Sequence, residues 1–233
     1  MQKTVGVIGG MGPDATVDFM SGVIGFTKAA RDQDHVRMLV DNNPRVPCRQ
    51  EALLGDGDDP GPVMADMARG LEAGGAEFLV MPCNTAHAFA DAIRDAVSIP
   101  LLSILDVTVA ACQGHAAVGI LATRGCLDAG VYQKAFAASG AELVVPDESE
   151  MAELMELIFA IKAGDRSAGI GERMQTLAES LTARGATVVV GGCTEITLVL
   201  HDGMLSVPLV SSTDELARAT AAICSGQHEL PSG

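Results

Sequence analysis

A chain of 233 residues that is 48% hydrophobic but only 3% aromatic must build its core from Ala, Val, Leu, Ile and Met. It has material for one large domain or two compact halves. A formal net charge of −15 and a pI near 4.5 exclude nucleic-acid backbones and anionic membrane surfaces as partners, because like charges repel. A small ligand stays open, since a pocket carries its own local charge. The opening "MQKTVGVIGG" has one lysine and runs into glycines, unlike a secretory signal, and no apolar run reaches membrane-spanning length. Six cysteines, at 48, 83, 112, 126, 193 and 224, show no C-x-x-C spacing. Reduced thiols in a soluble, cytoplasmic protein are therefore expected.

In chain order, the strand-like runs are "TVGVIGG", "VRMLVDN", "AEFLVMP", "IPLLSI", "AAVGILA", "AELVVP", "ATVVVGG" and "VPLVSS", separated by helical stretches. Continuous apolar strands between helices predict a parallel sheet covered on both faces, an α/β fold. The runs also repeat. "VGVIGGM" from Val5 resembles "VGILATR" from Val118, "GAEFLVMPCNTA" from Gly75 resembles "GATVVVGGCTEI" from Gly185, and "SIPLLS" from Ser98 resembles "SVPLVS" from Ser206. Three pairs in the same order, about 110 residues apart, are expected from two copies of one α/β unit. The expected architecture is two pseudo-symmetric parallel-sheet α/β domains whose equivalent loops meet at an active-site cleft. The first comprises residues 1–105 plus 208–233, with the last strand and helix returning to it, and the second residues 106–207. "LGDGDDPGP" at 54–62 reads as a surface turn leading into a helix.

Ligands of parallel sheets gather beyond the carboxyl ends of strands. In the first such loop, Gly10-x-Gly12-x-x-Ala15 matches a dinucleotide fingerprint. The next strand-end acid, Asp41, lies about thirty residues on instead of roughly twenty. A tight turn, or an anion site of backbone N–H groups, are the other readings. "MPCNTAH" puts Cys83 just past a strand, with Asn84 and Thr85 opening a helix whose dipole favours a thiolate. "GGCTEIT" repeats this with Cys193, Thr194 and Glu195. Either thiol alone is an ordinary buried cysteine, but two equivalent thiols in two equivalent halves point to paired acid–base chemistry. Cys83 and His87 stand four apart on one helix face, which suggests either a Cys–His nucleophile or half of a metal site with Cys193 and Glu195. No second close ligand pair of zinc type exists, so no metal is expected. No G-x-S-x-G or Walker sequence occurs, and none of Lys3, Lys28, Lys134 and Lys162 stands in a context suited to a Schiff base.

Together "GVIGGMGP", "NNPRVPCR", "MPCNTAHAF", "LATRG…GVY" and "GGCTE" resemble the aspartate/glutamate racemase superfamily, most closely its cofactor-independent aspartate racemases, over almost the whole chain. The resemblance implies an isomerase with no cofactor, often a homodimer, acting on a small and typically dicarboxylic amino acid. It implies that Cys83 and Cys193 are catalytic, one removing the α-proton as thiolate while the other, as thiol, delivers a proton to the opposite face. It further implies that Asn84, Thr85, Thr123 and Thr194 hold the α-carboxylate and that backbone groups at Met11 line the pocket. Arg49 and Lys162 then bind the second carboxylate, and Glu195 accepts from the substrate ammonium or orients Thr194. "GCTE" with "GGMGP", where glutamate racemases carry "GCTH" and an Asp-Ser pair, favours the aspartate branch. Arg124 and Cys126, where relatives often carry small hydroxyl residues, and Cys48 beside Arg49 depart from the pattern and bear on substrate choice. A glutamate or broad-specificity amino-acid racemase, the hydantoin racemases and maleate isomerases, which also use two cysteines, and a non-catalytic amino-acid sensor are the alternatives.

Overall fold

The computed structural model describes residues 2–230. The chain divides into two compact units, one running to Val107 and resuming at Thr213, the other Thr108–Ser212. The first unit contains β1 (Val5–Gly9), α1 (Pro13–Phe26), β2 (Met38–Asn42), α2 (Arg49–Leu54), α3 (Gly61–Ala73), β3 (Phe78–Val80), α4 (Ala90–Arg94), β4 (Leu101–Leu102) and the start of α5 (Ile104–Ala111). Its four strands are all parallel, in the order β2-β1-β3-β4. Successive side chains of a strand point to opposite faces, and the core follows that rule. Val5, Val7, Phe78 and Val80 pack with Phe19 and Val23 on one face, while Ile8, Leu79 and Met81 pack with Met64, Ala68 and Leu71 on the other. A central parallel strand covered on both sides has no polar face to offer, which is why β1 is apolar and buried along its whole length.

The second unit contains β5 (Ala117–Leu121), α6 (Arg124–Asp128), α7 (Val131–Phe136), β6 (Glu142–Val144), α8 (Glu148–Lys162), α9 (Ala168–Ala183), β7 (Val188–Gly191) and β8 (Leu209–Ser211). Its parallel order, β6-β5-β7-β8, is the order of the first sheet over again. Equivalent glycines show why the repeated "VG" is needed. A Cβ on Gly6 comes within 2.9 Å of Ala76 Cβ, and one on Gly119 within 3.1 Å of Ala186 Cβ. The strand must therefore stay bare where the helix leading into the neighbouring strand, α3 or α9, and its exit turn lie against it.

The strand from Pro208, expected with the first half, pairs instead with β7 and completes the second sheet. Only α10 (Ser212–Cys224) goes back. Its apolar face, Leu216, Ala217, Ala221 and Cys224, packs on Val5, Phe19 and Phe78 of the first unit, and Lys3 N–H donates to the Cys224 carbonyl. Full burial of a side chain such as Leu216 contributes roughly 1.5–3 kcal/mol, whereas β8 is held by its hydrogen-bond ladder. The two elements thus part company at Ser212. Among the described residues no helix is long and apolar enough to cross a membrane.

Candidate active site

In each sheet the strand order reverses beside the first strand, and ligands of open α/β sheets bind beyond the strand ends at such a switch point. The loops there are Gly10–Gly12 and 81–84 in the first unit, and 122–123 and 192–194 in the second.

After β1, the glycine spacing has a packing cause. Gly10 has φ 93°, and a Cβ there meets the Asn43 backbone at 2.3 Å, so the space is filled by the chain itself. Thr16 Oγ1 accepts from Gly10 N–H at 2.9 Å and closes the turn. The Met11 side chain is buried in the core, and what Met11 offers is its carbonyl, which accepts from Arg49 Nη2 at 3.4 Å. Arg49, the first residue of α2, also donates through Nη1 to the carbonyls of Val46 and Pro47. Its Nε is buried with no hydrogen-bond partner among the described residues. A guanidinium braced only by neutral carbonyls keeps its charge available for an anion.

After β3, Cys83 is 7% exposed, with Asn84 and Thr85 buried behind it. The expected helix is a five-residue 3₁₀ turn, Thr85–Phe89, before the short α4. The dipole behind Cys83 is thus that of one short turn, weaker than the full helix expected from the sequence. His87 is neither nucleophile nor solvent-facing. Ile104 N–H donates to its Nε2 at 3.3 Å, which leaves the proton on Nδ1 to donate to the Cys83 carbonyl at 2.8 Å. With both nitrogens committed to backbone, His87 has none left for a metal. Burial pushes its pKa down to about 4 against the support of the Cys83 carbonyl, so the ring stays neutral.

In the second unit Thr123 is the N-cap of α6, accepting from Cys126 N–H at 3.3 Å. Cys126 is fully buried, and Arg124 forms a forked ion pair with Glu148 at 3.0 and 2.7 Å. Neither departure from the family pattern offers a free ligand group here. After β7, Cys193 is 8% exposed and Thr194 and Glu195 are buried. A three-residue 3₁₀ turn, Ile196–Leu198, follows where a helix was expected. Lys162 and Glu195, expected to meet different groups of a substrate, form an ion pair with each other through Oε1. The other oxygen, Oε2, accepts from Cys193 Sγ at 2.9 Å and Thr194 Oγ1 at 3.2 Å. Burial, and next the Glu195 charge, push the Cys193 thiol well above its ordinary range despite Lys162. Burial alone pushes Glu195 up, but the Lys162 ammonium and the hydrogen bonds from Cys193 and Lys162 outweigh it and hold the carboxyl below its usual range.

Two supporting residues of this loop escape motif reading. Tyr132, the chain's one tyrosine, is fully buried, and its ring occupies the space a Cβ on Gly192 would need. Its hydroxyl is hydrogen-bonded to Ser212, whose Oγ donates to the Gly191 carbonyl at 2.8 Å. The signal that could have found it is its isolation in a nearly aromatic-free chain. Cys48 is exposed at the start of α2.

The profile of the Asp/Glu/hydantoin racemase family matches residues 8–220. The chain belongs to that family. Over 223 residues the racemase is 29% identical to the broad specificity amino-acid racemase RacX of Bacillus subtilis, covering 94% of this chain and 96% of that one. It is similar to the structure of the Picrophilus torridus aspartate racemase, with a TM-score of 0.86 at 28% identity over 96% of this chain and 94% of the other. Its fold is also that of the Francisella tularensis glutamate racemase solved with D-glutamate, with a TM-score of 0.65 at 15% identity, covering 100% of this chain and 84% of that one. The protein is an isomerase of the racemase type.

Proposed function

We propose that this racemase inverts the α-carbon of aspartate without a cofactor, using Cys83 and Cys193 as its two bases. The observation that carries the reading is the equivalence of the two thiols. Each follows the third strand of its sheet, at the switch point, buried to within 8% of complete enclosure. Proton transfer from one face and to the other requires one thiolate and one thiol on opposite sides of Cα. The carbanion formed between the two transfers carries a carboxylate beside it, so hydrogen-bond donors must take up charge there. Asn84, Thr85, Thr123 and the backbone N–H of Thr194, whose hydroxyl proton is committed to Glu195, supply that role, and Arg49 receives the distal carboxylate. Aspartate is favoured by "GCTE" and by the likeness to an aspartate racemase.

One observation favours a broader range. Lys162 is engaged by Glu195, which leaves Arg49 as the proposed site's available cation and makes a distal carboxylate less strictly demanded. The RacX likeness points the same way. Proton NMR in deuterium oxide with L-aspartate, L-glutamate and neutral L-amino acids, without added cofactor and with chiral chromatography of the products, tests both. Loss of the α-proton with appearance of D-aspartate is expected. An α-proton that persists in every amino acid overturns the reading.

A further inference from the structure

We propose that Glu195 is a positioning residue for Cys193 and not a substrate ligand: its carboxylate holds the Cys193 thiol in its protonated, hydrogen-bonded form, and Lys162 holds that carboxylate in place. The inference rests on the two-thiol reading and gives the pair a resting polarity.

A carboxylate has two oxygens and about four lone-pair sites. In Glu195 three donors of its own unit occupy three of them: Lys162 Nζ on Oε1, Cys193 Sγ and Thr194 Oγ1 on Oε2. The residue is 5% exposed, so little of it is left for a substrate ammonium. A buried carboxylate persists only when paired, and Lys162, the last residue of α8, pairs it. The titratable groups facing Cys193 are Glu195 on its own loop, Lys162 from α8 and Tyr132 from α7. Burial keeps Tyr132 neutral, so the nearest charge is a carboxylate in direct contact with the thiol. At the equivalent position of the first unit stands Thr85, an uncharged donor.

The consequence is a direction for the resting enzyme. Cys193 carries the proton and Cys83 takes the Cα hydrogen. The Cα–H proton passes to Cys83 Sγ, the S–H proton of Cys193 passes to Cα, and the Cα electron pair is restored. Cys193 is then a thiolate beside the Glu195 carboxylate, a like-charge pair that regains a proton from water while Cys83 releases its own to water, or from Cα in the reverse turn while Cys83 returns its proton to Cα. Because the two enantiomers are equal in energy, kcat/KM is the same in both directions, while kcat and KM separately differ.

Iodoacetamide alkylation of the full chain, followed cysteine by cysteine by peptide mass spectrometry across pH, reads the thiol without turnover. In Glu195→Gln the alkylation midpoint of Cys193 is expected to fall by about one pH unit or more, in Glu195→Asp by less, with the Cys83 midpoint unmoved. An unchanged Cys193 midpoint in Glu195→Gln with native circular dichroism overturns the proposal. Should that variant not fold, Cys193 in Glu195→Asp moving no differently from Cys83 overturns it equally. Racemisation by Lys162→Met, Glu195→Gln and the double variant supplies a second arm. The double variant is expected to be no worse than the weaker single variant, since both act through one carboxylate. Effects that multiply return Lys162 to a separate role on substrate. Absence of racemisation in the wild type removes the proposed function, while the alkylation midpoints still decide the role of Glu195.

Discussion

The Cys83 loop and the Cys193 loop occupy the same place in the same strand order, yet they are held and charged differently. Behind Cys83 a neutral imidazole ties the cysteine carbonyl to Ile104 N–H. Behind Cys193 a tyrosine and Ser212 tie the preceding Gly191 carbonyl. Two residues beyond the thiol the first loop has Thr85 and the second has Glu195; four beyond, the first has His87 and the second Thr197. The duplication preserved what positions a thiol at a strand end and changed what surrounds it. The proposed two-base reaction would gain from that difference, because it needs one thiol and one thiolate at any moment.

The largest expected effect removes the element common to both loops. Cys83→Ala and Cys193→Ala are each expected to lower racemisation by ~10²–10⁴-fold or more, with circular dichroism unchanged; wild-type turnover by either variant removes that cysteine from the mechanism. Next comes Arg49→Met. Losing a charge-assisted hydrogen bond of about 1.5–3 kcal/mol raises KM for aspartate roughly 10–100-fold, with no such change for a neutral amino acid.

The braces separate the loops by pH. His87 titrates at 6.5 when unfolded and at about 4 when folded. Below pH 6.5 the unfolded chain therefore binds a proton that the folded chain does not. Its contribution is fully present above that pH and is lost at about 1.4 kcal/mol per unit as pH falls toward 4. Denaturant titrations of wild type and His87→Gln between pH 7 and 4 are expected to differ in this slope, and parallel curves contradict the neutral buried ring. The smallest effect is Tyr132→Phe, which removes one buried hydrogen bond, about 1 kcal/mol. It is expected to lower the unfolding midpoint slightly and to leave the His87 slope intact.

Much of the framework was legible in the sequence because it depends on local pattern. Apolar runs such as "TVGVIGG" and "ATVVVGG" read as two-sided strands, and their repetition in order points to a duplicated unit. The return point was misplaced because "VPLVSS" and the helix after it carry no linker signal; which sheet β8 joins is decided by its ladder with β7. The helix expected after each cysteine is a short 3₁₀ turn closed by local bonds, such as His87 N–H to the Asn84 carbonyl and Leu198 N–H to the Glu195 carbonyl. The Lys162–Glu195 pair joins residues 33 apart, and the His87 and Tyr132 braces close through Ile104 and Ser212. Such contacts appear only once the strands are in register.

The two-base mechanism itself is tested most directly by the isotope content of both enantiomers at low conversion. L-aspartate is incubated with the protein in deuterium oxide, and residual L- and new D-aspartate are separated and weighed by mass spectrometry. Two thiols on opposite faces predict D-aspartate carrying deuterium at Cα while the remaining L-aspartate keeps its protium. D-aspartate that retains the original proton, or an L pool deuterated as fast as D-aspartate forms, would show a single base and contradict the pairing of Cys83 with Cys193.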